Sequence, residues 1–372
     1  MACDGEFSYK CFRYYFISAS VVGGRYNPAL MKPALTLWHD VSLRELNTFG
    51  IDAHAHTFVS VNAVADLQAI AADPQLSVLP RLILGGGSNL LLTQDVPGLV
   101  LHMVNTGRMV VGESDQHVIV CAQAGESWHE FVQWTLAQGL PGLENLSLIP
   151  GSVGAAPIQN IGAYGSELAE FFHSLTLFDF VTCETRVLSR DDCHFGYRDS
   201  IFKHALRDRA VIIDVSFALP RQWHPNLRYA ELAAELAAQS VSDITAQDIA
   251  NTVIAIRRRK LPDPAQIGNA GSFFKNPVVS QEQHAQLLAT HPKLVAYPQS
   301  DGSVKLAAGW LIDQCGWKGR SIGPAGVHER QALVLVNRGG ATGADVLALA
   351  KKITDDVRAR FGVMLDNEPV II

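Results

Sequence analysis

What this chain is short of narrows its function before any motif is considered. Charged residues make up 18% of its 372 residues, and acidic side chains outnumber basic ones to leave a net charge of −6. That balance gives no electrostatic reason to expect nucleic acid or an anionic membrane as a partner. Cysteine is sparse: Cys3, Cys11, Cys121, Cys183, Cys193 and Cys315 stand apart, with no Cys-x-x-Cys pair. This argues against a zinc site and against a disulfide scaffold, and it suits a reducing cytoplasm; no metal is expected. No apolar run approaches the roughly 18 residues that span a bilayer. Gly-x-Gly-x-x-Gly, the Gly-Lys-Ser/Thr of a P-loop and Gly-x-Ser-x-Gly are all missing, which disfavours the usual dinucleotide and triphosphate folds and a serine hydrolase.

Hydrophobic residues are plentiful at 48%, and the length suffices for two or three domains with sizeable cores. The N-terminal stretch "CFRYYFISASVV" has a faint signal-like flavour. Arg13 interrupts it, however, and Asp4 and Glu6 stand where a positive n-region belongs. Met31 opens "MKPALTLWHD" like an ordinary start, so residues 1–37 read as an extension outside the folded body.

Beyond it, strands and helices alternate. "AVADLQAIAAD" and "ESWHEFVQWTLAQG" have helical spacing, the second presenting Trp128, Phe131, Val132 and Leu136 on one face with Gly139 as its stop. "RLIL", "HVIVCAQAG", "SLTLFDF" and "AVIIDVSFALP" read as strands. Thr245 with Asp248, Ser280 with Gln283, and Thr342 open later helices through N-terminal caps. "FGVMLDNEPVII" reads as a closing strand.

Two glycine-rich segments could cradle phosphate: "LGGGSN" (Leu84–Asn89), which follows a strand and whose glycines leave backbone N–H groups exposed, and "IPGSVGAAPIQNIGAYG" (Ile149–Gly165). A single loop of this kind is usually a tight turn; two in one region are harder to dismiss.

At these segments the chain resembles a known family. "NTFGID", "ILGGGSNLL", "GLENLSLIPGSVGAAPIQNIGAYG", "FGYRDSIFK", "KLPDP", "GNAGSFFKNP" and "DGSVKLAAGWLIDQCG" occur in the order of the UDP-N-acetylenolpyruvoylglucosamine reductases, over residues 38 to 372. The variety with a Tyr-Arg-Asp-Ser loop and an extended substrate domain fits best. The resemblance implies an α+β protein. Two FAD-binding subdomains of the vanillyl-alcohol-oxidase type (38–110 and 111–240) are followed by a substrate domain (241–361) and a closing strand with the catalytic carboxylate (362–372). It implies FAD and NADPH as cofactors and UDP-N-acetylglucosamine enolpyruvate as substrate, in a cytoplasmic, monomeric enzyme of peptidoglycan synthesis, which ties it to cell-wall growth, cell shape and division.

The resemblance also implies residue roles. FAD would be held by Gly85, Gly86, Gly87, Ser88 and Asn89 in the first loop, and by Gly151, Ser152, Gly154, Ala155, Ile161 and Gly162 in the second. Tyr164, Tyr229, Lys260, Asn276, Tyr297, Lys305 and Gln331 match positions that hold the sugar nucleotide. Ser272 matches the proton donor. On its own residues Ser272 is equally a serine bonding backbone in a tight loop. Arg198 suits a carboxylate because its planar fork can bond bidentately, although most arginines form surface ion pairs. Lys260 ends "RRRK", which alone reads as a solvated helix end. Glu368 is the ungapped match to the catalytic carboxylate. The family pattern has Glu-Val where this chain has Glu368-Pro369, and strand alternation puts Asp366 on the same face as a rival. His328 is read as a packed or surface histidine outside the site. Two other readings stand beside this one. A sugar or alcohol oxidase of the same flavin fold often attaches flavin to a histidine or cysteine near the first glycine loop, and "LGGGSN" offers neither. A non-catalytic nucleotide-sugar binding module leaves Ser272, Arg198 and Glu368 without a purpose.

Overall fold

The structure, a computed structural model, describes residues 35–239 and 243–372. Expectations for the N-terminal extension up to residue 34 lie outside the described residues; Leu35 and Leu37 already pack on the core.

Three sheets organise the described chain. In the first, Trp38–Ser42 pairs antiparallel with His54–Val61, which continues through parallel neighbours Val96–Met103 and Arg81–Leu84. The second is antiparallel throughout, in the order Glu184–Ser189, Phe172–Asp179, Ala210–Pro220, His117–Gln123, Arg108–Glu113. Its middle strands alternate buried and half-buried residues, as in His117–Gln123, where Val118, Val120 and Ala122 face the core. That face packs on the helix Trp128–Ala137, whose Trp128, Phe131 and Val132 are buried as their spacing predicts. Ser127 caps this helix and Gly139, at φ +70, ends it. The third sheet joins Gly268–Ser272, Val334–Asn337, Ala325–Val327 and Ser321–Ile322. It packs with the helix Gly343–Phe361, whose Val346, Leu349, Ile353 and Val357 are buried. Capping boxes at Thr245/Asp248 and Thr342/Asp345 start the helices Ala246–Lys260 and Gly343–Phe361.

The segments dock through specific loops. Asn47 ties "NTFGID" into a turn: its Nδ2 donates to the carbonyls of Leu43 (2.8 Å) and Ile51 (2.9 Å). The turn then meets the third sheet, with Asn269 N donating to Thr48 O (2.9 Å) and Asn337 Nδ2 to Phe49 O (3.0 Å). Phe49 and Phe273 rings touch edge-on across that junction. The first sheet and the third therefore share one apolar core.

The helices Ala230–Ala238 and Ala246–Lys260 share a core of Leu232, Leu236, Ile249, Val253 and Ile256. One expectation is revised. The closing strand over 362–372 is broken. Gly362 terminates the preceding helix at φ +65, and only Val370–Ile371 form a strand, parallel to Leu90–Leu91, while Asn367 bridges Phe274. Pro369 has no N–H to donate, so the tail cannot hold one continuous ladder and instead splits its bonds between two partners.

Candidate active site

That split tail builds the site. Glu368 N donates to Phe273 O (2.8 Å), Val370 N to Asn89 O (3.0 Å) and Thr93 N to Ile372 O (2.7 Å). The chain end thus crosses from the third sheet to the first glycine loop and lays Glu368 beside a cavity of about 520 Å³.

Both glycine loops line this cavity, and they touch. A Cβ on Gly86 would stand 2.9 Å from Gly151 Cα, and Gly87, at φ +58, would drive one to 2.0 Å from Leu46 O. Side chains at these positions are excluded by backbone, so the loops present N–H and C=O groups to the cavity. Ser88 Oγ donates to Pro150 O (3.1 Å), and Asn89 Nδ2 donates to Gln159 Oε1 (2.6 Å), fixing one loop on the other. Arg81, Lys203, Arg207 and Lys275 bring positive charge to the lining, against Asp208 and Glu368.

Beside the cavity, Arg198 Nε donates to Glu368 Oε1 (3.0 Å) and Arg198 Nη2 to Gly162 O (2.8 Å). Arg198 holds a left-handed backbone at φ +55, which is unfavourable for a residue with a side chain. The Glu368 side chain is 13% exposed. Burial raises its carboxyl pKa, opposed by the charges of Arg198, Lys203 and Lys275. Asp366 is exposed and only its carbonyl is engaged, by Lys275 N.

Ser272 ends the strand Gly268–Ser272, half-buried, just past the bulge made by Gly271 at φ +68. It immediately precedes Phe273, whose carbonyl holds Glu368.

The remaining expected site residues fall into groups. Tyr164 and Tyr229 pack edge-on with centroids 5.0 Å apart. Burial pushes the Tyr164 hydroxyl up to about 12 and raises that of Tyr229, so both stay protonated donors. Lys260 pairs with Glu231 close by. Lys305 lies 3.8 Å from the Tyr197 ring centroid and opposite Tyr297 in the strand pair. Asn276 Oδ1 accepts from Ala308 N (3.0 Å), and Gln331 Oε1 from Leu333 N (3.4 Å). Of the expected cofactor residues, Gly85 through Asn89, Gly151, Ser152, Gly154, Ala155 and Ile161 line the cavity; Gly162 sits behind it as the acceptor for Arg198.

Comparison with known proteins decides the family. Residues 55–189 match the FAD binding domain and residues 263–372 the UDP-N-acetylenolpyruvoylglucosamine reductase C-terminal domain. A UDP-N-acetylenolpyruvoylglucosamine reductase of Azoarcus sp. (strain BH72) is 58% identical over 344 residues, 91% of this chain and 99% of its own length. One of Paraburkholderia phymatum is 57% identical, covering 90% and 97%. The chain belongs to the UDP-N-acetylenolpyruvoylglucosamine reductase family. The crystal structure of the Thermus caldophilus UDP-N-acetylenolpyruvylglucosamine reductase shares the fold, with TM-score 0.61 at 24% identity over 91% of this chain and 98% of that one.

FAD is accordingly the cofactor of this reductase family member, and the residues present fit it. Two touching loops whose glycines bare the backbone, a mainly apolar cavity wall and the cationic side chains of Arg81, Arg207 and Lys275 suit a flavin dinucleotide with its pyrophosphate. Several cleft residues were not singled out by sequence reasoning. Lys203 and Lys275 sit inside the quoted motifs "FGYRDSIFK" and "GNAGSFFKNP", and their charge was the available signal. Gln159 and Arg207 carried none. Arg257, within "RRRK", donates to Leu148 O (3.1 Å) and faces Tyr164, so that helix end is only partly solvated.

Proposed function

We propose that this chain reduces the enolpyruvyl group of UDP-N-acetylglucosamine enolpyruvate to a lactyl ether, giving UDP-N-acetylmuramate, with NADPH as reductant. FAD held between the two glycine loops would supply the hydride relay from NADPH to the enolpyruvyl β-carbon. Negative charge then builds on the substrate's α-carbon and spreads into its carboxylate. Arg198 offers its guanidinium to that carboxylate. Glu368, whose carboxyl is biased toward its protonated form, faces the same charge as a donor. Ser272 gives its proton to the α-carbon and is reprotonated from solvent. A hydroxyl is a weak acid, but an enolate carbon is a strong enough base to take its proton. Tyr164, Tyr229, Lys260, Asn276, Tyr297, Lys305 and Gln331 bind the sugar nucleotide, the lysines meeting its phosphates. A UDP-sugar and NADPH place the step in the cytoplasm, as a monomeric enzyme supplying peptidoglycan for cell shape and division. No helix among the described residues is long and apolar enough to cross a membrane.

The observation that carries this reading is the Arg198–Glu368 pair at 3.0 Å, set beside the glycine-lined cavity. The test is spectroscopic. The purified protein should be yellow, bleach with NADPH, and recover its colour anaerobically when the enolpyruvyl sugar nucleotide is added. Recovery with oxygen but not with that substrate would contradict it.

A further inference from the structure

Lys203, one of the cavity-lining lysines, has a defined protein partner. Its Nζ donates to Arg198 O at 2.8 Å. Arg198 needs such a partner, because a left-handed backbone at a non-glycine residue is strained and persists only when its surroundings enforce it. The loop itself supplies a tight bridge, Gly196 N to Asp199 O (3.0 Å) and Asp199 N to Gly196 O (3.2 Å), which holds the N–H side of the Arg198–Asp199 peptide and leaves the Arg198 carbonyl to Lys203. Lys203 is in turn fixed. It closes the short helix Ile201–Lys203, capped by Ser200, whose Oγ donates to Ile158 O (2.7 Å) in the second glycine loop. The chain of contacts runs from the cavity wall through Ser200 and Lys203 to the Arg198 carbonyl, and from the Arg198 guanidinium to Glu368.

We infer that Lys203 is a positioning residue for the enolpyruvyl half of the reaction: by holding the Arg198 carbonyl it keeps the left-handed turn that aims the guanidinium at Glu368 and the substrate carboxylate. This rests on the function proposed above. The charged groups facing the Lys203 amine are Lys275, Glu368, Asp199 and Arg198. Burial and the Lys275 charge bring its pKa down to about 8, so the cation is lost within an accessible pH range. Loss of that charge weakens the hydrogen bond to the carbonyl and removes one of three cations around Glu368.

The test uses FAD-loaded Lys203→Met and Lys203→Arg, with flavin content and thermal midpoint measured on the same preparations. Lys203→Met should leave NADPH bleaching of the flavin intact and slow its reoxidation by the enolpyruvyl sugar nucleotide by about 10²-fold, the cost of a small misplacement of a reacting group. Affinity of the oxidised enzyme for UDP-N-acetylmuramate, read from the flavin absorbance shift, should fall in parallel. Lys203→Arg should restore most of both. It should also erase an alkaline fall in the wild-type reoxidation rate near pH 8, because arginine does not titrate there. Equal slowing of both half-reactions in Lys203→Met, or reoxidation at the wild-type rate, overturns the inference. If Lys203→Met emerges without flavin, the arginine variant decides: an alkaline limb that persists overturns the inference, and its loss supports it. A wild-type enzyme that the enolpyruvyl substrate fails to reoxidise would instead sink the proposed function.

Discussion

Two carboxylates in this protein are shielded from solvent and held by arginine, yet they are driven in opposite directions. Asp179, at the end of the strand Phe172–Asp179, accepts from Arg209 Nε (2.9 and 3.0 Å), Arg209 Nη2 (2.7 Å), Arg186 Nη1 (3.3 Å) and Val181 N (2.9 Å). Donors on both oxygens bring its pKa down to about 2, with the Arg209 hydrogen bonds the largest cause. Glu368 has a single arginine contact, on one oxygen, and burial raises its pKa. The difference lies in the donor count. A carboxylate saturated with donors is a fixed charge that ties elements together. One left with an open oxygen beside a cavity keeps the option of a proton, which is the property a site needs when charge must appear and disappear.

The comparison can be broken by variants that separate chemistry from stability. The largest effect is expected at Ser272, which precedes the residue whose carbonyl holds Glu368. Ser272→Ala should slow flavin reoxidation by the enolpyruvyl substrate about 10²–10⁴-fold, the usual contribution of a general acid. Bleaching by NADPH should persist and the melting temperature should not change. Slowing of both steps alike, in stopped flow, would make Ser272 structural. At Asp179 the expectation reverses. Asp179→Asn should leave turnover intact and cost about 1.5–3 kcal/mol of stability, the scale of hydrogen bonds to a charged group. Denaturant unfolding measures it. The wild-type contribution of Asp179 is fully present above the unfolded pKa of 3.8 and is lost as pH falls toward about 2. Acid unfolding should therefore begin at higher pH in the variant.

A smaller effect belongs to His328, which is 1% exposed with Nε2 unpartnered among the described residues. Burial lowers its pKa below 6.5, opposed by Glu329. The folded state prefers the neutral ring, so stability is full above pH 6.5 and falls as pH drops from there through the lowered folded value. His328→Gln should flatten that part of the melting-temperature profile without altering turnover. A profile of unchanged slope would show that the ring escapes its burial on protonation. The smallest effect concerns the extension: a chain beginning at Met31 should retain flavin and activity, and loss of FAD would contradict this.

Much of this contrast was legible in the chain, but unevenly. Thr245 with Asp248, and Thr342, announced helices because an N-terminal cap is local, closed within four residues. Ser272, Arg198 and Glu368 were legible only through motif resemblance, because nothing in their spacing brings residues 74 or 96 positions apart together. Lys203 went unselected inside a quoted motif: whether a lysine turns to solvent or to a carbonyl is a tertiary outcome. The closing strand was misjudged for the same reason. Apolar alternation in "FGVMLDNEPVII" suggested one ladder, but Pro369 and two competing edges divided it. The alternation left Asp366 and Glu368 on equal terms; the ungapped motif match favoured Glu368, and the tertiary pairing with Arg198 supports it.

That distinction is the central one, and one measurement addresses it: the rate of flavin reoxidation by the enolpyruvyl sugar nucleotide in Glu368→Ala, Glu368→Gln and Asp366→Asn. Glu368→Ala should lose about 2.7–4 kcal/mol of barrier lowering, as removal of an oxyanion donor does. Glu368→Gln, which retains a donor, should lose less, and Asp366→Asn should reoxidise near the wild-type rate. A crippled Asp366→Asn beside a normal Glu368→Ala would contradict the account and move the working carboxylate to Asp366.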